Sequence, residues 1–207
     1  MPPIPKLTYF PLPGRAFATR VAMFKLFGKD GWVDERVDFA KFGEMKAAGA
    51  FPLGSLPVLT LPDGRMICQS AAIASWAGRQ CGLLPSDPLE ALLVDEAGAT
   101  CMEILGKCPQ DKDNDVKKAK REEYAAGWMK TAMAMLEKKY SESASDFLLA
   151  DLSLADLQLR MLIVMIQTGD FDYVDPSYVN DYPKLVKASE AVKTHPVLVS
   201  YYENYPN

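Results

Sequence analysis

Residues Leu56 to Gly78, LPVLTLPDGRMICQSAAIASWAG, constrain the fold more than any other stretch, because 23 positions hold two strands, a tight turn and a helix start. Val58 to Leu61 reads as a short strand with Pro57 at its edge, where a missing N–H is harmless. Pro62-Asp63-Gly64 is turn chemistry, Pro presetting one φ and Gly accepting a positive one, so Arg65 to Cys68 returns as a second strand. Gln69 and Ser70 then precede Ala71 to Ala77, a run of good helix formers. Free N–H groups at that start, beside a hydroxyl and an amide, form a site for an anion, with a carboxylate the obvious guest. The plainer reading is that Gln69 and Ser70 only cap the helix.

The chain before this stretch supplies more of the same layer. Lys6 to Phe10 alternates and is rich in strand formers, and Pro11-Leu12-Pro13-Gly14 breaks it. Arg15 to Phe27 fits a helix ending at Gly28, and Trp32 to Val37 reads as the next strand. Strand, helix and strand make a βαβ unit with parallel strands. A short helix at Phe42 to Ala48 and a loop lead into the hairpin. Residues 1–81 thus spell βαβ, α, ββα, a four-stranded mixed sheet with helices on its faces.

After the Pro/Gly-containing segment 82–88, which reads as a linker, strand signals stop. Helices are expected near 88–109, 116–140, 153–168, 182–194 and 196–204. The second carries Ala125, Trp128, Ala132, Met135 and Leu136 on one stripe, as an amphipathic bundle helix does. Residues 154–166 are apolar almost all round and predict the buried centre of the bundle. Its start, Ser153-Leu154-Ala155-Asp156, is a capping box with Asp in place of Glu, worth about 1–2 kcal/mol.

Charge and cysteine usage exclude several function classes. With 23 basic and 27 acidic residues the net charge is −4, which argues against nucleic acid or an anionic membrane as partner. No apolar run approaches a membrane span, and MPPIPKLTYF lacks the look of a signal or transit peptide, so the expected location is cytoplasmic. Four cysteines, at 68, 81, 101 and 108, are irregularly spaced in expected strand or helix and read as buried thiols. With no C-x-x-C and a single histidine, His195, neither zinc nor dithiol redox chemistry is expected. Asp111-Lys112-Asp113-Asn114-Asp115 lacks the Gly and Glu of a calcium loop and reads as a solvated connection.

KLTYFPLPGRA at 6–16, LPVL at 56–59, QSAAI at 69–73 and SLAD at 153–156 together resemble the cytosolic glutathione S-transferases, in particular the sigma-like branch that includes the glutathione-dependent prostaglandin D synthases. The resemblance covers essentially the whole chain. It implies a thioredoxin-like α/β glutathione-binding domain at 1–81 and an all-α helical bundle domain at 89–207 that contributes the electrophile pocket. It also implies a homodimer, with glutathione as co-substrate and no metal.

By that resemblance Tyr9 donates its hydroxyl to the glutathione sulfur, and Arg15 adds positive potential. Lowering a thiol of pKa about 8.5 by roughly two units takes about 2.7 kcal/mol of preferential thiolate stabilisation. One hydrogen bond to a charged acceptor supplies roughly 1.5–3 kcal/mol, so a neutral phenol suffices and need not act as a base. Leu56 and Pro57 match the pair whose backbone bonds the cysteinyl unit. Gln69 and Ser70 match the pair that holds the γ-glutamyl carboxylate. Phe42 and Lys46 fall where an aromatic residue and a lysine receive the glycyl carboxylate, with Phe where the sigma pattern has Trp and Lys41 as a substitute cation. Asp95 matches an acid that reaches the partner subunit's glutathione. Leu12, Pro13, Met102, Leu105 and Tyr202, with Tyr205 as an alternative, are candidates for the pocket of a hydrophobic electrophile.

The implied activity is conjugation of the glutathione thiolate to an apolar electrophile, with isomerisation or peroxide reduction at the same site as the second enzyme reading. The rival from another class is a low-activity ligand carrier or crystallin-like structural protein. Retention of Tyr9, Arg15, Gln69 and Ser70 together counts against it.

Overall fold

The computed structural model describes residues 4–205. They form two compact units, one of residues up to Leu84 with those from Pro196 onward, the other of Pro85–His195.

The first unit is built on a four-stranded sheet in the order β2-β1-β3-β4, with β1 at Lys6–Tyr9, β2 at Val33–Arg36, β3 at Val58–Thr60 and β4 at Met66–Cys68. β1 and β2 are parallel, and the other neighbours are antiparallel. Around the sheet lie α1 (Phe17–Phe27), α2 (Phe39–Ala47) and α3 (Ser70–Cys81). Leu7, Val21, Met23, Leu59 and Ile73 are fully buried and form the shared core of sheet, α1 and α3. The hairpin turn closes as the sequence predicts. Gly64 takes φ +87°, Asp63 accepts the Arg65 N–H at 3.1 Å, and the Leu61 N–H reaches the Arg65 carbonyl at 2.9 Å.

Some boundaries differ from the sequence reading, each for a local reason. Gly14–Ala16 tightens into a 3-10 turn, so α1 starts at Phe17 rather than Arg15. α2 starts at Phe39 rather than Phe42, because the Asp38 side chain caps it by accepting the Lys41 N–H at 2.7 Å. The last helix, α9 (Pro196–Asn204), groups with this unit instead of with the helical one expected from its type. Its aromatic residues explain that. Tyr201 meets Phe24 at 5.9 Å, Tyr205 meets Trp32 at 5.8 Å, and the Tyr205 hydroxyl donates to the Lys29 carbonyl at 3.0 Å.

The second unit contains α4 (Pro88–Gly106), α5 (Asn114–Ala126), α6 (Trp128–Glu142), α7 (Leu154–Gln167) and α8 (Pro183–Thr194). The single helix expected over 116–140 is two, broken at Gly127, whose φ of −100° and ψ of −111° no helix accommodates. Of the expected stripe, Ala125, Ala132 and Leu136 are buried, while Trp128 and Met135 are half-buried. α4 ends at Gly106, so Cys108 falls in a loop rather than a helix; all four cysteines are free. In the acidic run Asp113 caps α5 and Asp111 pairs with Lys120 at 2.7 Å.

α7 is the centre of this unit, with Leu157, Leu159, Leu162, Ile163 and Ile166 fully buried and α4 and α8 packed against it. Its capping box forms, and Asp156 does more than close it. One carboxylate oxygen accepts the Ser153 N–H at 2.8 Å and the Ser153 hydroxyl at 2.6 Å. The other accepts the Tyr140 hydroxyl and the Leu148 N–H, each at 2.9 Å. Burial raises the Asp156 pKa above the ordinary carboxyl value against the pull of these hydrogen bonds.

Candidate active site

Topology alone gathers five of the residues singled out in the first unit. Thr8 pairs with Val58, and Val58 with Cys68, so the end of β1, the start of β3 and the end of β4 meet at one edge of the sheet. That edge carries Tyr9, Leu56-Pro57 and Gln69-Ser70. The Leu56–Pro57 peptide is cis.

The Tyr9 ring is 6% exposed and stands edge-on to Phe10 at 5.3 Å. Its hydroxyl oxygen accepts the backbone N–H of Arg15 at 3.1 Å, from the 3-10 turn. Gly14 makes that approach possible. At φ +39° it takes a conformation that favours glycine, and a Cβ there would lie 2.7 Å from the Tyr9 hydroxyl and 2.8 Å from Leu12. With its oxygen used as an acceptor, the phenol keeps its own proton for another partner. Among the described residues the Arg15 guanidinium is exposed and carries no hydrogen bond or ion pair.

Gln69 enters α3 at φ +74°, a strained value for a side-chain-bearing residue, and neither it nor Ser70 makes a side-chain cap. The plain capping reading is therefore set aside. The exposed Gln69 amide and the first N–H groups of α3 stay unspent at the sheet edge.

On α2, Phe42 stands edge-on to Phe10 at 5.2 Å and stacked near Phe51 at 5.9 Å. Lys46 lies over the Phe42 ring at 5.8 Å, its chain against Gly54, with no carboxylate partner among the described residues. Lys41, by contrast, is paired with Glu44 at 3.0 Å.

A cleft of about 330 Å³ opens beside this edge, lined by Leu12, Pro13 and Tyr202 of the expected pocket together with Phe17, Arg20, Arg36 and Tyr201. Tyr205 does not line it. Asp95, Met102 and Leu105 lie on α4 of the second unit, Asp95 exposed, and Met102 and Leu105, three residues apart, on a shared helix face.

Sequence reading passed over Arg20. It is 2% exposed, and its guanidinium donates to Asp34 at 2.9 Å, to the Leu12 carbonyl at 2.6 Å and to the Phe10 carbonyl at 3.0 Å. It also lies over the Tyr9 ring at 5.5 Å. One side chain thus ties the loop after β1 to α1 and β2 and holds the Tyr9 ring from one side. The signal available was an arginine inside the apolar run Phe17 to Phe24, a position that needs a partner.

A family model described as the glutathione S-transferase C-terminal domain matches residues 101–205. The chain belongs to the glutathione S-transferase family. It is 26% identical over 211 residues to glutathione S-transferase 2 of Manduca sexta, with 98% of each chain covered. Over 115 residues it is 36% identical to the hematopoietic prostaglandin D synthase of Gallus gallus, 54% of each chain. The solved structure of rat hPGDS complexed with a quinoline superposes with a TM-score of 0.83 at 22% identity, covering 99% of this chain and 98% of the other. The sheet unit and the helical unit are those of the glutathione S-transferase fold.

Proposed function

We propose that this protein binds glutathione at the sheet edge and adds its thiolate to an apolar electrophile, with Tyr9 as the thiolate-stabilising group. The observation that carries the reading is the Arg15 N–H to Tyr9 hydroxyl bond, which leaves the phenolic proton as a donor without an acceptor among the described residues. A sulfur anion in that place takes up the proton, and the exposed, unpaired Arg15 guanidinium adds favourable potential. The Leu56 backbone beside the cis Pro57 serves the cysteinyl unit, and Gln69 with Ser70 at the start of α3 serves the γ-glutamyl carboxylate. Lys46, unpaired beside Phe42, serves the glycyl carboxylate in preference to Lys41, which Glu44 neutralises. Leu12, Pro13 and Tyr202 form part of the electrophile pocket. Asp95 reaches the partner subunit's glutathione in the homodimer that the family resemblance implies.

The sigma-like class is supported by the quoted motifs and by the partial match to the Gallus gallus synthase. That match also favours isomerisation as the second reading. The test is the rate of glutathione conjugation to 1-chloro-2,4-dinitrobenzene for native protein and Tyr9→Phe. Loss of one charge-assisted hydrogen bond predicts a kcat/KM roughly 10- to 100-fold lower at neutral pH, with much of the loss recovered above the free thiol pKa of about 8.5. Equal rates refute the role of Tyr9, and tight glutathione binding without turnover by native protein supports the ligand carrier instead.

A further inference from the structure

Among the described residues, the cleft lined by Arg20 and Arg36 contains one more positive charge than its carboxylates balance. Asp34 is the shared anion, accepting Arg20 Nε on one oxygen at 2.9 Å and Arg36 Nε on the other at 2.8 Å. Arg20 spends its remaining nitrogens on the Leu12 and Phe10 carbonyls, and its side chain is 3% exposed. Arg36 is different. Its side chain is 35% exposed, and its outer nitrogens reach no carboxylate or carbonyl among the described residues. The Tyr201 hydroxyl lies against this guanidinium, and burial pushes the phenol pKa up to about 12, so it stays a neutral hydroxyl.

Strand geometry sets the direction of the cleft. Leu7 pairs with Asp34 and Tyr9 with Arg36 in the parallel ladder, and side chains two apart share a face. Tyr9 and Arg36 are thus neighbours on one side of the sheet, a single strand spacing of roughly 4.8 Å apart at the backbone. Lys6 and Thr8 each donate to Glu35 on the opposite face. The remaining wall, Pro11, Leu12, Pro13 and Phe17 with Tyr202, is apolar apart from the Tyr202 hydroxyl. A guanidinium fork and a phenol over an apolar wall suit an apolar molecule with a single carboxylate. One surplus charge balances a monoanion and leaves a phosphate dianion half compensated.

We propose that Arg36, with the Tyr201 hydroxyl, forms a carboxylate subsite that selects apolar monocarboxylates as ligands of this cleft. Resting on the transferase reading above, it directs the apolar end of an acidic electrophile toward the sulfur beside Tyr9. The experiment has a binding arm that does not depend on that reading. Calorimetric titration without glutathione compares 2-naphthoate with 2-naphthamide, of the same shape but uncharged. Native protein is expected to prefer the acid about tenfold, with added salt weakening the acid only, as for a partly exposed charge-assisted pair. Arg36→Gln is expected to abolish the preference. Tyr201→Phe, which keeps the Arg36–Asp34 pair and so guards against misfolding, is expected to reduce it.

The kinetic arm uses 4-chloro-3,5-dinitrobenzoate and its methyl ester with glutathione, where the acid-to-ester ratio of kcat/KM should fall about tenfold in Arg36→Gln. Equal affinity of native protein for acid and amide overturns the subsite, as does a loss in Arg36→Gln common to both members of each pair. If native protein turns over neither electrophile but keeps an Arg36-dependent acid preference, the subsite stands and the transferase reading falls.

Discussion

Replacing Asp156 tests the account of the helical unit most severely, because one buried carboxylate organises the start of α7, the end of α6 and the loop between them. Asp156→Ala leaves the Ser153 and Leu148 N–H groups and the Ser153 and Tyr140 hydroxyls without their acceptor, at a position that is 0% exposed. A buried donor without a partner costs about 1–3 kcal/mol. The backbone donors cannot turn away and fall at the upper end, whereas the hydroxyls can rotate and water can enter the vacated space. The expected loss is about 4 kcal/mol, more than the 1–2 kcal/mol of a simple cap and a large share of the roughly 5–15 kcal/mol that holds a protein folded. Asp156→Asn keeps one acceptor oxygen but turns an NH2 toward the other pair of donors, so about half the loss is expected. Urea unfolding followed by far-ultraviolet circular dichroism measures both. A midpoint shift equivalent to less than 1.5 kcal/mol for Asp156→Ala, with unchanged slope, refutes the claim that this carboxylate satisfies four buried donors.

Gly14→Ala places a methyl 2.7 Å from the Tyr9 hydroxyl at a φ of +39°, so it should lower kcat/KM toward the Tyr9→Phe value while thermal melting shifts only a few degrees; native-like kinetics would show that Gly14 does not set the hydroxyl position. A pH prediction concerns Asp172. Its carboxyl is held below the usual range by the Lys117 hydrogen bond at 2.7 Å, which outweighs its slight burial. A depressed carboxyl contributes stability above its unfolded value of about 3.9 and loses it as pH falls through the folded value. Asp172→Asn should therefore flatten the acid side of the stability profile below about pH 4, read by melting temperature against pH; a profile parallel to native would refute the assigned pair.

The parts of this protein legible from its sequence are those decided within a few residues. Pro11 to Gly14 ends β1, Pro62 to Gly64 turns β3 into β4, and Ser153 with Asp156 opens α7. In each, the deciding bond spans a short stretch of chain whose donors, acceptors and φ preferences can be read directly. The division of 116–140 at Gly127 and the Asp38 cap of α2 carried local signals too, but weaker ones that a hydrophobic stripe masked. Arg20, Asp34 and Arg36 had no such signal. Their bonds join α1, β2 and the loop after β1, and only the meeting of α1 with β2 makes a buried pair of Arg20 and Asp34, with the part-exposed Arg36 on the second carboxylate oxygen. The same holds for α9, whose apolar spacing predicts a helix while the rings of Phe24 and Trp32, far away in sequence, determine which unit it joins. Backbone propensity fixed the elements because it acts between near neighbours. Burial of charge and of aromatic area decided their company, since those energies exist only after distant segments have met.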